Sequence, residues 1–354
     1  MYNRKRIMTE IKNHRPRIEW IDFTKGISII GTIVSHCAPL GSMLRNALFS
    51  FHMPLFFILS GYTMTPAKDI KTLYKKTKKD AKTLLLPVVI FSAIRTFGLL
   101  ILSEDLSLSS ATHALYGWLN SLFWSSGVEE LGHPALGMLW FLVSMFTARF
   151  IINIVHVIFG NDEDEVILIA LGGIGIILGV FEHRLPFNFD VSLASIFFLA
   201  IGLVAKKNTD RIKKFSTALF FIAISIWLFC IYRGYAIEMA TRFYGINLLV
   251  IIEAICACYV VIRLCMQVCK VNVIKKPLVF IGMNSLFVLC FHNIDILIKP
   301  IWDKENLLLA CLMRVSIAVA SSSAFIYLKQ LANKRQLDKR SQLLKLLCST
   351  LLRA

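Results

Sequence analysis

The sequence predicts an all-α, polytopic integral membrane helix bundle of about ten transmembrane helices with both termini cytoplasmic, and three observations predict it. Hydrophobic residues fill 56% of the 354 positions and charged ones 17%, with a mean hydropathy of +0.67, whereas a soluble domain carries about 25% charge and roughly 45–50% apolar residues. Long apolar runs recur without the alternation that a membrane barrel needs. The net charge of +17 is spread as a topology signal, not gathered as a nucleic-acid-binding face, so nucleic acid is not an expected partner and the lipid bilayer is. A span takes ~20 residues, so ten spans use ~200 and leave short loops and two tails.

Taken in order, residues 1–19 form a basic cytoplasmic segment carrying Arg4, Lys5, Arg6, Lys12, Arg15 and Arg17. No small-residue cleavage site ends the apolar run that follows, so that run is a first span and not a cleaved signal. The membrane domain covers 20–328, with spans near 20–38, 46–65, 84–103, 136–160, 166–181, 190–205, 215–232, 246–266, 278–298 and 307–328. Inner segments then hold 28 of the 39 lysines and arginines and outer loops six, which fits an even number of crossings. The acidic NDEDE at 161–165 is the one inner segment without a basic residue.

The stretch from Glu104 to Pro134 is expected as the longest outer loop, with Trp118 and Trp124 at headgroup level. In the fifth span, GGIGIILG sets Gly175 and Gly179 four apart as a helix-contact face. Residues 329–354 alternate basic and apolar positions as a cytoplasmic amphipathic tail. The nine cysteines form neither a disulfide framework nor a ligand pattern, and no metal site is expected.

Ionisable groups inside spans are costly and usually functional. They are Asp22, Lys25, His36, His52, Arg95, Arg149, Glu253, His292, Asp295 and Arg314. Lys25 and His36 lie eleven positions apart, on nearly one helix face and ~16 Å apart along its axis. Asp22 is one turn before Lys25 and can pair with it. In the second span, FHMPLFFILSGY contains Pro54 and ends in Ser60 and Gly61, which suggests a bent or interrupted helix lining a cavity.

These residues resemble the integral-membrane acyltransferase 3 family, most closely its fucose 4-O-acetylase and nodulation-factor O-acetyltransferase branch. The stretch RIEWIDFTKGISIIGTIVSH carries the family's cation, ten residues, then histidine, as Lys25 and His36. The second family element matches Phe51 to Tyr62, Lys79 and Lys82 stand before LLLP as the family's basic pair does, and LWFL (Leu139 to Leu142) and GMNSLFVLCFH (Gly282 to His292) are similar to the branch. The resemblance implies acetyl transfer from cytoplasmic acetyl-CoA to a hydroxyl of a cell-envelope or secreted carbohydrate, or a lipid-linked glycan, by a multi-pass protein of the bacterial inner membrane. No permanently bound cofactor is implied.

On this reading His36 is the general base or an acyl-carrying relay, because an imidazole can take the proton of a poor hydroxyl nucleophile or accept the acyl group itself. Lys25, paired with Asp22, meets the donor phosphates or the developing charge. Lys79, Lys82, Ser60 and Gly61 are the donor-binding candidates. His52, His292, Asp295, Trp140 and Asn284 are acceptor-binding or secondary candidates, with Asp295 able to orient the ring of His292. A transporter or small-molecule uptake module remains the other class open to such a bundle, although no inverted internal symmetry supports it.

Overall fold

The computed structural model describes residues 17–129, 132–160, 164–181, 184–209, 217–244, 249–303 and 305–351, the last stretch as backbone alone beyond 335. Most of the basic N-terminal segment, and the first half of NDEDE, lie outside the described residues. The described chain is helical, with a single isolated bridge between Glu238 and Phe243 in place of strands. In chain order the helices are α1 (Glu19–Ser35), α2 (Met43–Phe49), α3 (His52–Thr63), α4 (Ile70–Asp80), α5 (Leu86–Leu102), α6 (Leu108–Trp124), α7 (Trp140–Phe159), α8 (Asp164–Val180), α9 (Phe189–Lys207), α10 (Thr217–Tyr232), α11 (Leu249–Val268), α12 (Asn272–Met283), α13 (Ser285–Ile294) and α14 (Leu307–Leu351).

Among the described residues, six helical segments are long and apolar enough to cross a membrane: Met43–Thr63, Ile70–Leu102, Gly137–Phe159, Pro186–Lys207, Leu249–Val268 and Leu307–Arg335. The pair Asn272–Met283 and Ser285–Ile301, bent by 70°, makes a seventh if it counts as one span. The difference from the expected ten lies in α1, α8 and α10, which have 17, 17 and 16 residues, each short of the ~20 that match the hydrocarbon thickness untilted.

Three local expectations change. The second span is interrupted ahead of Pro54, not at it: the break falls at Ser50–Phe51, where Phe51 leaves helical geometry (φ −128°) and Ser50 Oγ accepts a hydrogen bond from Trp227 Nε1 at 2.7 Å. Pro54 therefore sits in the first turn of α3, where a missing N–H loses no helical hydrogen bond, and α3 continues through Ser60 and Gly61. The third span begins earlier, because α4 runs into α5 through a π-helical turn at Ala81–Leu85. Pro87 follows at once and cannot donate to the preceding turn, which that wider turn accommodates. The expected outer loop contains α6, started by Ser107 Oγ capping Ser110 N and tied to α5 by Trp118 Nε1 donating to Ser92 Oγ at 2.9 Å.

The core forms around α1, which packs on α3 and on α11 to α14. Two glycine pairs set the closest approaches. A Cβ built on Gly26 would overlap the carbonyl of Leu278, and one on Gly282 that of Asp22, so α1 and α12 cross backbone to backbone. Gly61 and Gly202 do the same for α3 and α9, the small-residue contact that replaces a hydrophobic driving force inside lipid. Gly175 meets the backbone of α9 and Gly179 the ring of Tyr244, so the GGIGIILG stretch is a contact face.

Where α9 begins, Arg242 donates to Asp190 at 2.6 Å and to Asn188 Oδ1 at 2.9 Å, with both charged side chains at 2% exposure or less. Removing one partner leaves a buried charge uncompensated, so Arg242→Ala should destabilise the protein by about 3–5 kcal/mol. Arg45→Ala, whose partner Glu238 is one-third exposed, should cost about 1 kcal/mol or less. Thermal unfolding of the detergent-solubilised protein compares the two, and equal shifts would refute the distinction.

Candidate functional site

Two cavities stand at opposite ends of α1. The first, of about 590 Å³, opens at the Lys25 end and is lined by Asp22, Lys25, Ser60, Arg149, Lys206 and Arg17 above an apolar floor that includes Met53, Phe56 and Leu289. Lys25 Nζ lies 3.9 Å from Asp22 Oδ1, and Arg17 lies the same distance from the other carboxylate oxygen. Arg149, from the middle of α7, reaches Asp80 at 2.9 and 3.4 Å and donates to Ser60 Oγ at 3.3 Å. Lys206 Nζ donates to the Met64 carbonyl at 2.6 Å, tying the end of α9 to the end of α3. Four cations thus converge where one carboxylate lines the wall, an arrangement suited to a polyanion.

The second cavity, of about 490 Å³, is lined by His36, Cys37, Arg95, His292, Asn293, Asp295 and Arg314, among others. Here the 70° bend matters. It turns α13 so that His292 faces the end of α1, with the His36 and His292 ring centroids 5.7 Å apart. His292 Nδ1 donates to Asp295 Oδ2 at 2.7 Å, and Arg314 holds the same carboxylate with a fork of 2.9 and 3.2 Å. Arg314 also reaches the His36 carbonyl at 3.4 Å. Also in the lining, Arg95 donates to the Ala135 carbonyl at 3.0 Å, and Asn293 Oδ1 accepts from Met138 N at 2.8 Å.

The two cavities share their walls. On α1, Ile29 lines the first and His36 the second; on α13, Leu289 lines the first and His292, one helical turn on, the second. Along α1 the two linings are seven residues apart, ~10 Å of axial rise, and along α13 three residues, ~5 Å.

Of the residues singled out from sequence, Asp22, Lys25 and Ser60 meet in the first cavity, and His36, His292 and Asp295 in the second. The rest stand elsewhere. Lys79 and Lys82 are exposed and line neither cavity; the inward residue of that segment is Asp80, which holds Arg149. Gly61 is spent on the approach to α9. Trp140 is buried and stands edge-on to Phe141. Asn284 caps the bend, donating to the Phe280 carbonyl at 2.8 Å. His52 is 2% exposed, with Nδ1 donating to the Leu48 carbonyl at 2.8 Å and its ring edge-on to Phe49 at 4.8 Å, so it is a packed core histidine.

Sequence reasoning did not single out Arg17 and Lys206, which line the first cavity but read as ordinary positive-inside residues, and had no placement for Arg149, Arg95 and Arg314. Their position inside spans was the only available signal for these last three.

The chain belongs to the acyltransferase 3 family: that family's acyltransferase-domain model matches residues 18–328. No curated protein and no solved structure matches it. The protein is therefore a multi-pass membrane acyltransferase, which decides between the enzyme and the uptake module that its sequence alone leaves open.

Because His52 lines neither cavity, His52→Asn should lower the thermal unfolding temperature while keeping acyl transfer within about tenfold of wild type at matched protein level. A loss of 10²-fold or more, the range for a missing acid–base group, would return His52 to the reacting groups.

Proposed function

We propose that the protein moves an acetyl group from cytoplasmic acetyl-CoA to a hydroxyl of a cell-envelope or secreted carbohydrate, or of a lipid-linked glycan, in the bacterial inner membrane. One observation carries this reading: a cation-lined cavity and an imidazole-lined cavity stand back to back on the α1–α13 pair. A donor that bears several phosphates suits the first, where Lys25, Arg149, Arg17 and Lys206 supply charge-assisted hydrogen bonds. The acceptor hydroxyl, a poor nucleophile at neutral pH, needs the second, where His36 takes its proton or carries the acyl group across. The sidedness follows from the lysine and arginine asymmetry, which sets the Lys25 end toward the cytoplasm.

Two measurements test the reading. In acetyl-CoA titrations of the purified protein, Lys25→Gln and Arg149→Gln should each weaken binding roughly ten- to a hundredfold, the loss of a charged hydrogen bond. Lys79→Gln and Lys82→Gln, exposed and screened beyond ~8 Å at physiological salt, should change it less than about twofold. Equal, salt-sensitive losses at all four positions would mean a diffuse basic surface instead of a donor site. In the second measurement, His36→Ala should lower glycan acetylation about 10²- to 10⁴-fold while the protein still accumulates in membranes. Near-normal acetylation would remove His36 from the reaction.

A further inference from the structure

The second cavity holds an unexplained atom. His292 is 2% exposed, its Nδ1 is satisfied by Asp295, and its Nε2 is sealed from solvent without a hydrogen-bond partner. A histidine kept only for packing has both nitrogens provided for, as buried polar atoms in native proteins nearly always do. Because Nδ1 donates to the carboxylate, Nε2 is left as an acceptor, and what it lacks is a donor. The ring beside it is His36, at 5.7 Å between centroids and tilted by 43°. His36 is half-buried and lines the cavity, and it sits at the C-terminal end of α1. At that separation a turn of the His36 side chain would bring an N–H toward His292 Nε2 with the other nitrogen toward the cavity.

Resting on the reading that His36 is the reacting imidazole, we propose that His292, Asp295 and Arg314 are positioning residues that act through it. They form a backing chain in which Arg314 holds Asp295, Asp295 holds His292, and His292 Nε2 accepts from the ring of His36. The logic is that of a base oriented by a second group which is itself oriented by a third.

Each link has a function in the reaction. The acceptor O–H gives its proton to the cavity-facing nitrogen of His36 as the oxygen attacks the thioester carbonyl, forming the C–O bond. The imidazolium so formed shares its other proton with His292 Nε2, and the Asp295 carboxylate balances the charge through His292 Nδ1–H. Collapse of the tetrahedral adduct breaks the C–S bond, and the departing thiolate takes the proton back from His36. Arg314 keeps Asp295 ionised and in place with its fork of 2.9 and 3.2 Å, and its reach of 3.4 Å to the His36 carbonyl fixes the end of α1 against α14. The carboxylate therefore never needs to accept a proton itself.

The test separates this chain from a purely structural cluster and from the acetyl-transfer reading. His292→Asn retains a donor for Asp295 but removes the Nε2 acceptor; the double variant Asp295→Asn with Arg314→Gln removes both charges together, so no unpaired ion is left to unfold the protein. The first readout is the rate at which diethyl pyrocarbonate modifies His36 in the full-length protein, followed by mass spectrometry, and it needs no catalytic turnover. Both variants should slow modification of His36 at least fivefold, with unfolding temperatures near that of wild type. The second readout is acetyl transfer, where kcat should fall tenfold or more with KM for acetyl-CoA unchanged within about twofold. An unchanged His36 modification rate in both variants overturns the proposal, and so does a loss that appears in KM alone. If wild type transfers no acetyl group to any glycan acceptor, the acceptor assignment fails, while the modification rates still decide the role of His292.

Discussion

A charge inside a membrane bundle must either find a partner or face water, and this constraint organises the interior of the protein. Lipid offers ionisable groups no hydrogen bonds, so most find partners inside the fold. Arg149 turns to Asp80, Arg314 to Asp295 and Arg242 to Asp190, and each pair ties together separate segments of the chain. Lys25, His36 and Arg95 line the cavities, where water or substrate can reach them, whereas Glu253, fully buried on α11, has neither carboxylate oxygen hydrogen-bonded among the described residues and lines neither cavity. The buried Arg242–Asp190 pair also lines neither cavity, and it closes the loop after α10 onto the start of α9.

The same constraint explains which parts of the site were legible in the sequence. The Asp22–Lys25 pair was readable because its partners are one helical turn apart, and the structure has it at 3.9 Å. His292 and Asp295 were likewise readable as neighbours, and their hydrogen bond is 2.7 Å. That His36 would meet His292 was not readable, since α1 and α13 are separated by most of the chain and no local spacing encodes their contact. Arg149 with Asp80 and Ser60 is another such long-range meeting. Lys79 and Lys82 stand differently: a basic pair near the membrane surface matches a motif by its order, and the segment it lies on turns Asp80 toward Arg149 while both lysines are exposed.

The helix plan was legible in outline and wrong in its breaks. Apolar runs located the long apolar helices, because burial in lipid requires such runs, while the basic α4 and the serine-containing α6 were not read as helices. Interruptions depend on packing partners instead. Pro54 reads as a kink, but a proline in the first turn of a helix disturbs nothing, and the interruption moves to Ser50–Phe51, where Trp227 supplies a donor. The stretch from Glu104 to Pro134 reads as loop because it is rich in serine and histidine, yet one indole hydrogen bond to Ser92 docks a helix there. At the other end of the chain, the 70° turn at Asn284 brings His292 up to His36, and without it α13 would carry that histidine past the end of α1.

Two cavities that share α1 and α13 also constrain how acyl transfer can proceed. Between them lie Ile33, fully buried on α1, and Leu289, 3% exposed on α13. While that apolar layer stays closed, a donor held by the cations at the Lys25 end and an acceptor beside His36 cannot touch, and the acyl group must be carried by a residue that faces both. If the layer parts, the thioester reaches the second cavity and direct attack on it becomes possible. The choice between relay and direct transfer is thus a question about the packing of a few aliphatic side chains and not about the imidazole, whose chemistry serves either route. In both, the tight crossings at Gly26 and Gly282 hold α1 against α12 at its Lys25 end, and Arg314 ties its His36 end to Asp295.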